Sequence, residues 1–144
     1  MKNYEIGVLP ASTWFFFSPT EDTKKLFYYH TMCGHFFCTK DYYIKRKTFP
    51  VLLLVYVQHG EFYLELEDGH YTAQAGQIAF FDCRQPHYYH GSDDLEFYYL
   101  HFDGPQASEL CRYINQNSGV VIDGENNDTI LKILDEMILF YQNG

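Results

Sequence analysis

The stretch Val51–Gly104 decides the fold: VLLLVYVQHGEFYLELEDGHYTAQAGQIAFFDCRQPHYYHGSDDLEFYYLHFDG. It is a series of short runs rich in β-branched and aromatic residues, each ended by a turn signal. Val51–Val57 is closed by His59-Gly60. In Phe62–Leu66 the residues Phe62, Leu64 and Leu66 point one way, and Glu61, Tyr63, Glu65 and Glu67 the other. That period of two is what a half-buried strand requires. Asp68-Gly69 then predicts a hairpin into His70–Gln74, and Ala75-Gly76 predicts the next turn. Gln77–Asp82 is mostly apolar and Pro86 closes its turn. His87–His90 and Leu95–Phe102 complete the series, joined by Gly91-Ser92-Asp93-Asp94. Strands this closely spaced, with no helix between them, predict an antiparallel sandwich or barrel. A barrel is a container, so its lining is the functional question.

The chain has 144 residues, enough for one domain with a core. It is 47% hydrophobic and 19% aromatic, which excludes a disordered chain. Fourteen tyrosines and thirteen phenylalanines suit a lined pocket or an interface, although most are expected in the core or on strand faces. The formal net charge is −9, and the one basic cluster, Lys45-Arg46-Lys47, is split across two sheet faces by strand alternation. This segment is therefore not expected to grip nucleic acid itself. The start lacks the apolar core of a secretion signal, and no run has the length of a membrane span. A cytoplasmic location follows as an expectation, with Cys33, Cys38, Cys83 and Cys111 as free thiols.

Residues 1–19 read as an N-terminal arm or first strand, carried by Trp14-Phe15-Phe16-Phe17. Ser18–Lys25 is expected to be a polar turn. Leu26–Cys38 is β-prone and interrupted at Gly34, which suggests a bulge or a tight bend. His30, Cys33, His35 and Cys38 invite a zinc reading, but the spacing is poor, and alternation sets Cys33 and His35 on one face and His30 and Cys38 on the other. Tyr42–Arg46 is a further strand. Arg46 can project inward as a fork for hydroxyls or a carboxylate, or stand outside as an edge charge. The barrel region runs from 20 to 104, and 105–144 is helical. Pro105 opens one helix, Pro105–Asn117, and Gly119–Ile122 is a strand or connector. Asn127–Gln142 carries a single apolar stripe: Ile130, Ile133, Leu134, Met137, Ile138 and Tyr141. The stripe either docks on the barrel or meets a second copy of the chain, making these six the candidate dimerisation residues. The abrupt end at Gly144 suggests that a further domain continues from it.

Gly76-x5-Asp82-x4-His87 resembles the second motif of cupins. The first cupin motif is missing and only one of four metal ligands is kept, so neither metal nor any other cofactor is expected. The fuller resemblance is to the N-terminal sensor domain of AraC-type transcription regulators. It rests on Cys33-Gly34-His35, Tyr42-Tyr43-Ile44-x-Arg46, Leu52-Leu53-Leu54-x-Tyr56-Val57-x-x-Gly60, Gly69, Gly76, Pro86-His87-x-Tyr89 and His101-Phe102-x-Gly104. It implies a mainly β, cupin-like jelly-roll barrel followed by two C-terminal α-helices that pair two subunits. It also implies a small-molecule effector, often a sugar, inside the barrel. DNA would be bound only by a separate C-terminal helix-turn-helix domain that this chain lacks. Carried over by position, the ligand-binding residues are Arg46, His87, Tyr89, Phe97 and Tyr99, with Met32 and His30 as additional lining. His87 has an alternative as a buried histidine satisfied by a neighbour. The sugar-binding members often carry tryptophan in the last strand, where this chain has Phe97, Tyr98 and Tyr99.

The competing reading is a cupin-fold enzyme, either a metal-free sugar isomerase or a metal-dependent oxygenase. It needs an acid and a base converging in the cavity. Glu61, Glu65 and Glu67 alternate outward, which leaves His87 without an obvious partner. A second competitor is a dimerisation module with a barrel packed solid by aromatic rings.

Overall fold

The computed structural model describes residues 5–143. The elements run β1 (Thr13–Phe16), α1 (Glu21–Leu26), β2 (Tyr29–Phe37), β3 (Tyr43–Arg46), β4 (Leu52–His59), β5 (Glu61–Leu66), β6 (Gly69–Gln74) and β7 (Ile78–Asp82). They continue with β8 (His87–Gly91), β9 (Glu96–Asp103), α2 (Ala107–Ser118), β10 (Val121–Ile122) and α3 (Asn127–Asn143). A six-stranded sheet has the order β1-β2-β9-β4-β7-β10 and a four-stranded sheet the order β3-β8-β5-β6. Every pairing is antiparallel. The mainly β, cupin-like class with C-terminal helices is therefore observed.

Two apolar cores follow from which faces are covered. Between the sheets lie Phe62 and Leu64 of β5, Tyr89 of β8, Phe81 of β7 and Phe97 and Tyr99 of β9. On the outer face of the six-stranded sheet, Leu52, Tyr56, Ile78 and Phe80 pack against Ala107, Cys111 and Leu134 of α2 and α3. The four-stranded sheet is covered on one face only, so β5 alternates apolar and polar. Strands β4 and β7 are covered on both faces and read as near-continuous apolar runs.

The hairpin stands one residue off its sequence signal: Glu67 and Asp68 form the turn, and Gly69 already pairs with Leu66. Trp14–Phe16 is strand at the edge of the six-stranded sheet, paired with β2.

Three expectations are corrected. Ser18–Lys25 is not simply a polar turn, because Glu21–Leu26 is a helix. Thr20 caps it by accepting from the Thr23 amide at 3.2 Å, with Glu21 and Asp22 in its first turn and Lys24 and Lys25 in its last. Gly34 does not interrupt β2; the register slips between His30 and Met32 instead, leaving Thr31 as the extra residue. Gly34 serves a close approach. A Cβ there would stand 2.6 Å from the Tyr99 ring and 2.7 Å from the Thr13 carbonyl oxygen. The slip also overturns the face assignment, since His30 turns to the outer side with α3 while Cys38 belongs to the interior core.

The stripe on α3 divides. Leu134 and Ile138 are buried within this subunit, Ile130, Met137 and Tyr141 are half-buried, and Ile133 is 52% exposed beside the still more exposed Phe140. The helices are fastened by side-chain amides. Asn115 donates to the Phe80 carbonyl at 3.0 Å, and Asn127 donates to Gly76 at 3.0 Å and Ile122 at 2.9 Å.

Candidate functional site

β3 brings Arg46 to the interior. Its register sets Arg46 opposite His87 and Ile44 opposite Tyr89. On the facing sheet, His101 pairs with Met32 and with Leu53, and Tyr99 pairs with Gly34 and Val55. Met32, Arg46, Tyr89, Phe97 and Tyr99 thus surround one cavity of about 60 Å³. His87 is buried beside them against Phe81 and Tyr89, but it opens on an adjoining cleft rather than on the cavity. His30 does not line the cavity. The register slip turns it outward, where it shares a 2.6 Å hydrogen bond with Tyr141 and stacks on Phe17.

The polar lining is concentrated at one end. The Arg46 guanidinium carbon lies 4.3 Å from the Phe49 ring centre, Phe49 meets His101 edge-on at 5.5 Å, and His101 meets Tyr99 at 5.6 Å. Among the described residues, Arg46 Nη1, Tyr99 OH and His101 Nδ1 are all buried there without a hydrogen-bond partner. His87 Nε2 is a fourth such atom. Its Nδ1 donates to the Gln85 carbonyl at 2.9 Å, so Nε2 of the neutral ring is an acceptor. Each unpaired buried polar atom costs about 1–3 kcal/mol. Four at one end of a barrel amount to a site held short of its partners.

The electrostatics keep the site in one protonation state. Burial first, then the Arg46 and His87 charges, push His101 down to about 3. Burial also lowers His87, against its bond to Gln85. Burial raises the phenols of Tyr42, Tyr89 and Tyr99, with the charge of Glu5 a smaller cause in the same direction. At neutral pH the site therefore offers a guanidinium, neutral imidazoles and intact phenols.

Among the lining residues that escaped the sequence reading are His101 and Glu5. His101 follows Tyr99 by two on β9, and the alternation Phe97, Tyr99, His101 was enough to find it. Glu5 also lines the cavity, brought there by the N-terminal segment. That segment is pinned by Leu9 N–H to the Phe37 carbonyl and Thr39 N–H to the Gly7 carbonyl, both 2.8 Å. No local pattern could have placed Glu5. An acid thus reaches the cavity, although Glu65 is exposed on the outer face as expected.

Arg46 and His87 also border an open cleft of about 480 Å³, with Lys45, Lys47, Glu65 and Glu67 at its rim. A groove of similar size, about 510 Å³, runs between α2 and the β5–β6 hairpin. On its wall Ser108 donates to Asp82 at 2.6 Å, and beside it Arg84 spans Asp82 and Asp103 at 3.1 and 2.7 Å. The interior cavity is the better site because it gathers buried polar atoms that have no partner among the described residues. Among the described residues, no group of three or more His, Cys, Asp or Glu side chains could hold a metal. Cys33 and Cys38 are buried, and burial pushes Cys38 up to about 12. No described helix is long and apolar enough to cross a membrane.

A closed antiparallel container with polar groups aimed into it defines a cupin-like ligand-binding barrel. The chain belongs to the AraC-like ligand binding domain family, whose model matches residues 29–144, from the first residue of β2 onward. No curated protein matches the sequence. Among solved structures, YhaK from Escherichia coli is similar with a TM-score of 0.55 and 19% identity, over 66% of this chain and 45% of that one. A cupin 2 conserved barrel domain protein from Leptotrichia buccalis is similar with a TM-score of 0.52 and 15% identity, over 71% and 43%. The chain thus spans less than half the length of either, and at these identities the likeness is one of fold.

Proposed function

We propose that this barrel is the effector sensor of a transcription regulator, binding a small molecule without transforming it. The observation that carries the reading is the convergence of unpartnered Arg46, Tyr99 and His101 on one cavity. Met32, Tyr89 and Phe97 supply apolar contact, and His87 braces Tyr89 at the adjoining cleft. Residues 20–104 form the sensor and 105–144 the pairing segment. Two copies pair through the outward side of α3, where Ile133, Leu139 and Phe140 are exposed, rather than through Leu134 and Ile138. A separate helix-turn-helix domain contacts DNA in the cytoplasm. The ligand acts by binding one arrangement of the paired subunits more tightly than the other.

The family resemblance points towards a sugar. An apolar cavity of about 150 Å³ holds benzene. At about 60 Å³ this cavity takes a monosaccharide only if its wall moves. A ligand of the folded state raises its apparent stability, so the test is thermal unfolding across a panel of sugars and small metabolites. A saturable rise in Tm that disappears in Arg46→Gln supports the sensor. A rise of equal size in that variant removes Arg46 from the site, and conversion of a bound compound to product returns the enzyme reading.

A further inference from the structure

We infer that the ligand presents a carboxylate to Arg46, Tyr99 and His101, with a short apolar remainder, and is not a neutral polyol. This rests on the sensor reading above. Arg46 Nη1 can only donate, it carries a charge, and it is buried at the cavity without a partner among the described residues. A carboxylate accepts from a guanidinium through a short charge-assisted bond. Tyr99 OH and His101 Nδ1, when each carries its proton, donate to the remaining lone pairs. These groups cluster through the Arg46–Phe49–His101–Tyr99 chain of ring contacts, so they meet one end of a ligand rather than ringing it. A polyol needs a polar partner for each hydroxyl, and much of the remaining wall is apolar, including Met32, Phe36, Ile44, Leu53 and Phe97. The size agrees. Space of about 60 Å³ is room for a headgroup and a few carbons, less than half of a cavity that holds benzene.

The approach has the same sign. Lys45 and Lys47 flank Arg46 at the rim of the open cleft, against Glu65 and Glu67. With Arg46 these leave one net positive charge at the cleft, in a chain of net charge −9, which favours an anion there. The opposing charge on the cavity wall is Glu5.

The test uses matched pairs: acetate, propionate and butyrate against their amides, with L-arabinose and D-glucose as neutral polyols, read by thermal shift and calorimetry on the purified protein. The acid of a pair is expected to bind roughly tenfold or more tightly than its amide. Arg46→Gln should erase that difference. Should Arg46→Gln not fold, Tyr99→Phe decides: propionate weakens severalfold more than propionamide, and an unchanged propionate Kd overturns the inference. Equal binding of acid and amide, or binding of a sugar alone, overturns the carboxylate and leaves the sensor standing. No shift with any acid, amide or sugar overturns both.

Discussion

The two faces of the six-stranded sheet treat their polar groups in opposite ways. On the helical side, polar side chains find partners. His30 meets Tyr141, His35 donates to Glu96 at 2.7 Å while stacking on Tyr98, and Asn115 and Asn127 each hold two carbonyls. On the interior side, Arg46, His87, Tyr99 and His101 keep buried atoms without one among the described residues. A satisfied polar group stiffens a structure, whereas an unsatisfied one costs stability until something arrives to bond it. The helical side is thus built to hold its place and the interior to receive a ligand. The second competitor, a barrel filled solid with rings, matches most of the interior, with the residual cavity confined to the arginine end.

The comparison breaks most visibly where the helical side is cut. Leu134→Ala should lose about 2–5 kcal/mol, seen as a lower denaturant midpoint, because Leu134 is buried between α3 and the sheet. Next comes acid titration of the interior. The folded value of His101 is about 3, below the ordinary 6.5 of the unfolded chain. Between those values the unfolded state binds the extra proton, so stability falls as pH drops from about 6.5 towards 3, by up to a few kcal/mol. His87 is shifted in the same direction. His101→Leu should flatten that part of the pH profile measured by chemical denaturation.

Gly34→Ala tests the seam between the faces. The added methyl meets the Tyr99 ring and the Thr13 carbonyl, so a loss of about 1–3 kcal/mol is expected, with weaker ligand binding. Tyr99→Phe and Asn127→Ala sharpen the contrast. Removing an unpartnered hydroxyl should leave stability unchanged or raise it by about 1 kcal/mol, while removing the Asn127 amide frees two carbonyls and costs about 1–3 kcal/mol. If Tyr99→Phe destabilises as much as Asn127→Ala, the division between the faces fails. The smallest effect on folding is expected from Phe140→Asp. It is 71% exposed, so unfolding should move by less than about 0.5 kcal/mol while sedimentation reports loss of any pairing through α3.

The sequence determined the strand series, the hairpins and the two long helices, because period-two runs, turn residues and a 3.6-residue stripe are local signals. Alternation also set Tyr89 on the face of His87 and Phe97 on the face of Tyr99, and would have added His101 to the latter. What lay beyond it depended on distant neighbours. The helix at Glu21–Leu26 was masked by the apolar run that follows it. The outward turn of His30 depends on a one-residue slip against β9, which shows only when two strands are laid side by side. Gly34 reads as a break until the Tyr99 ring, far along the chain, is seen to fill its place. Glu5 reaches the cavity by packing of the N-terminal segment alone. Local pattern fixes which face a residue takes within its strand; only the tertiary structure decides which faces meet, and which buried polar atoms are left waiting for a partner.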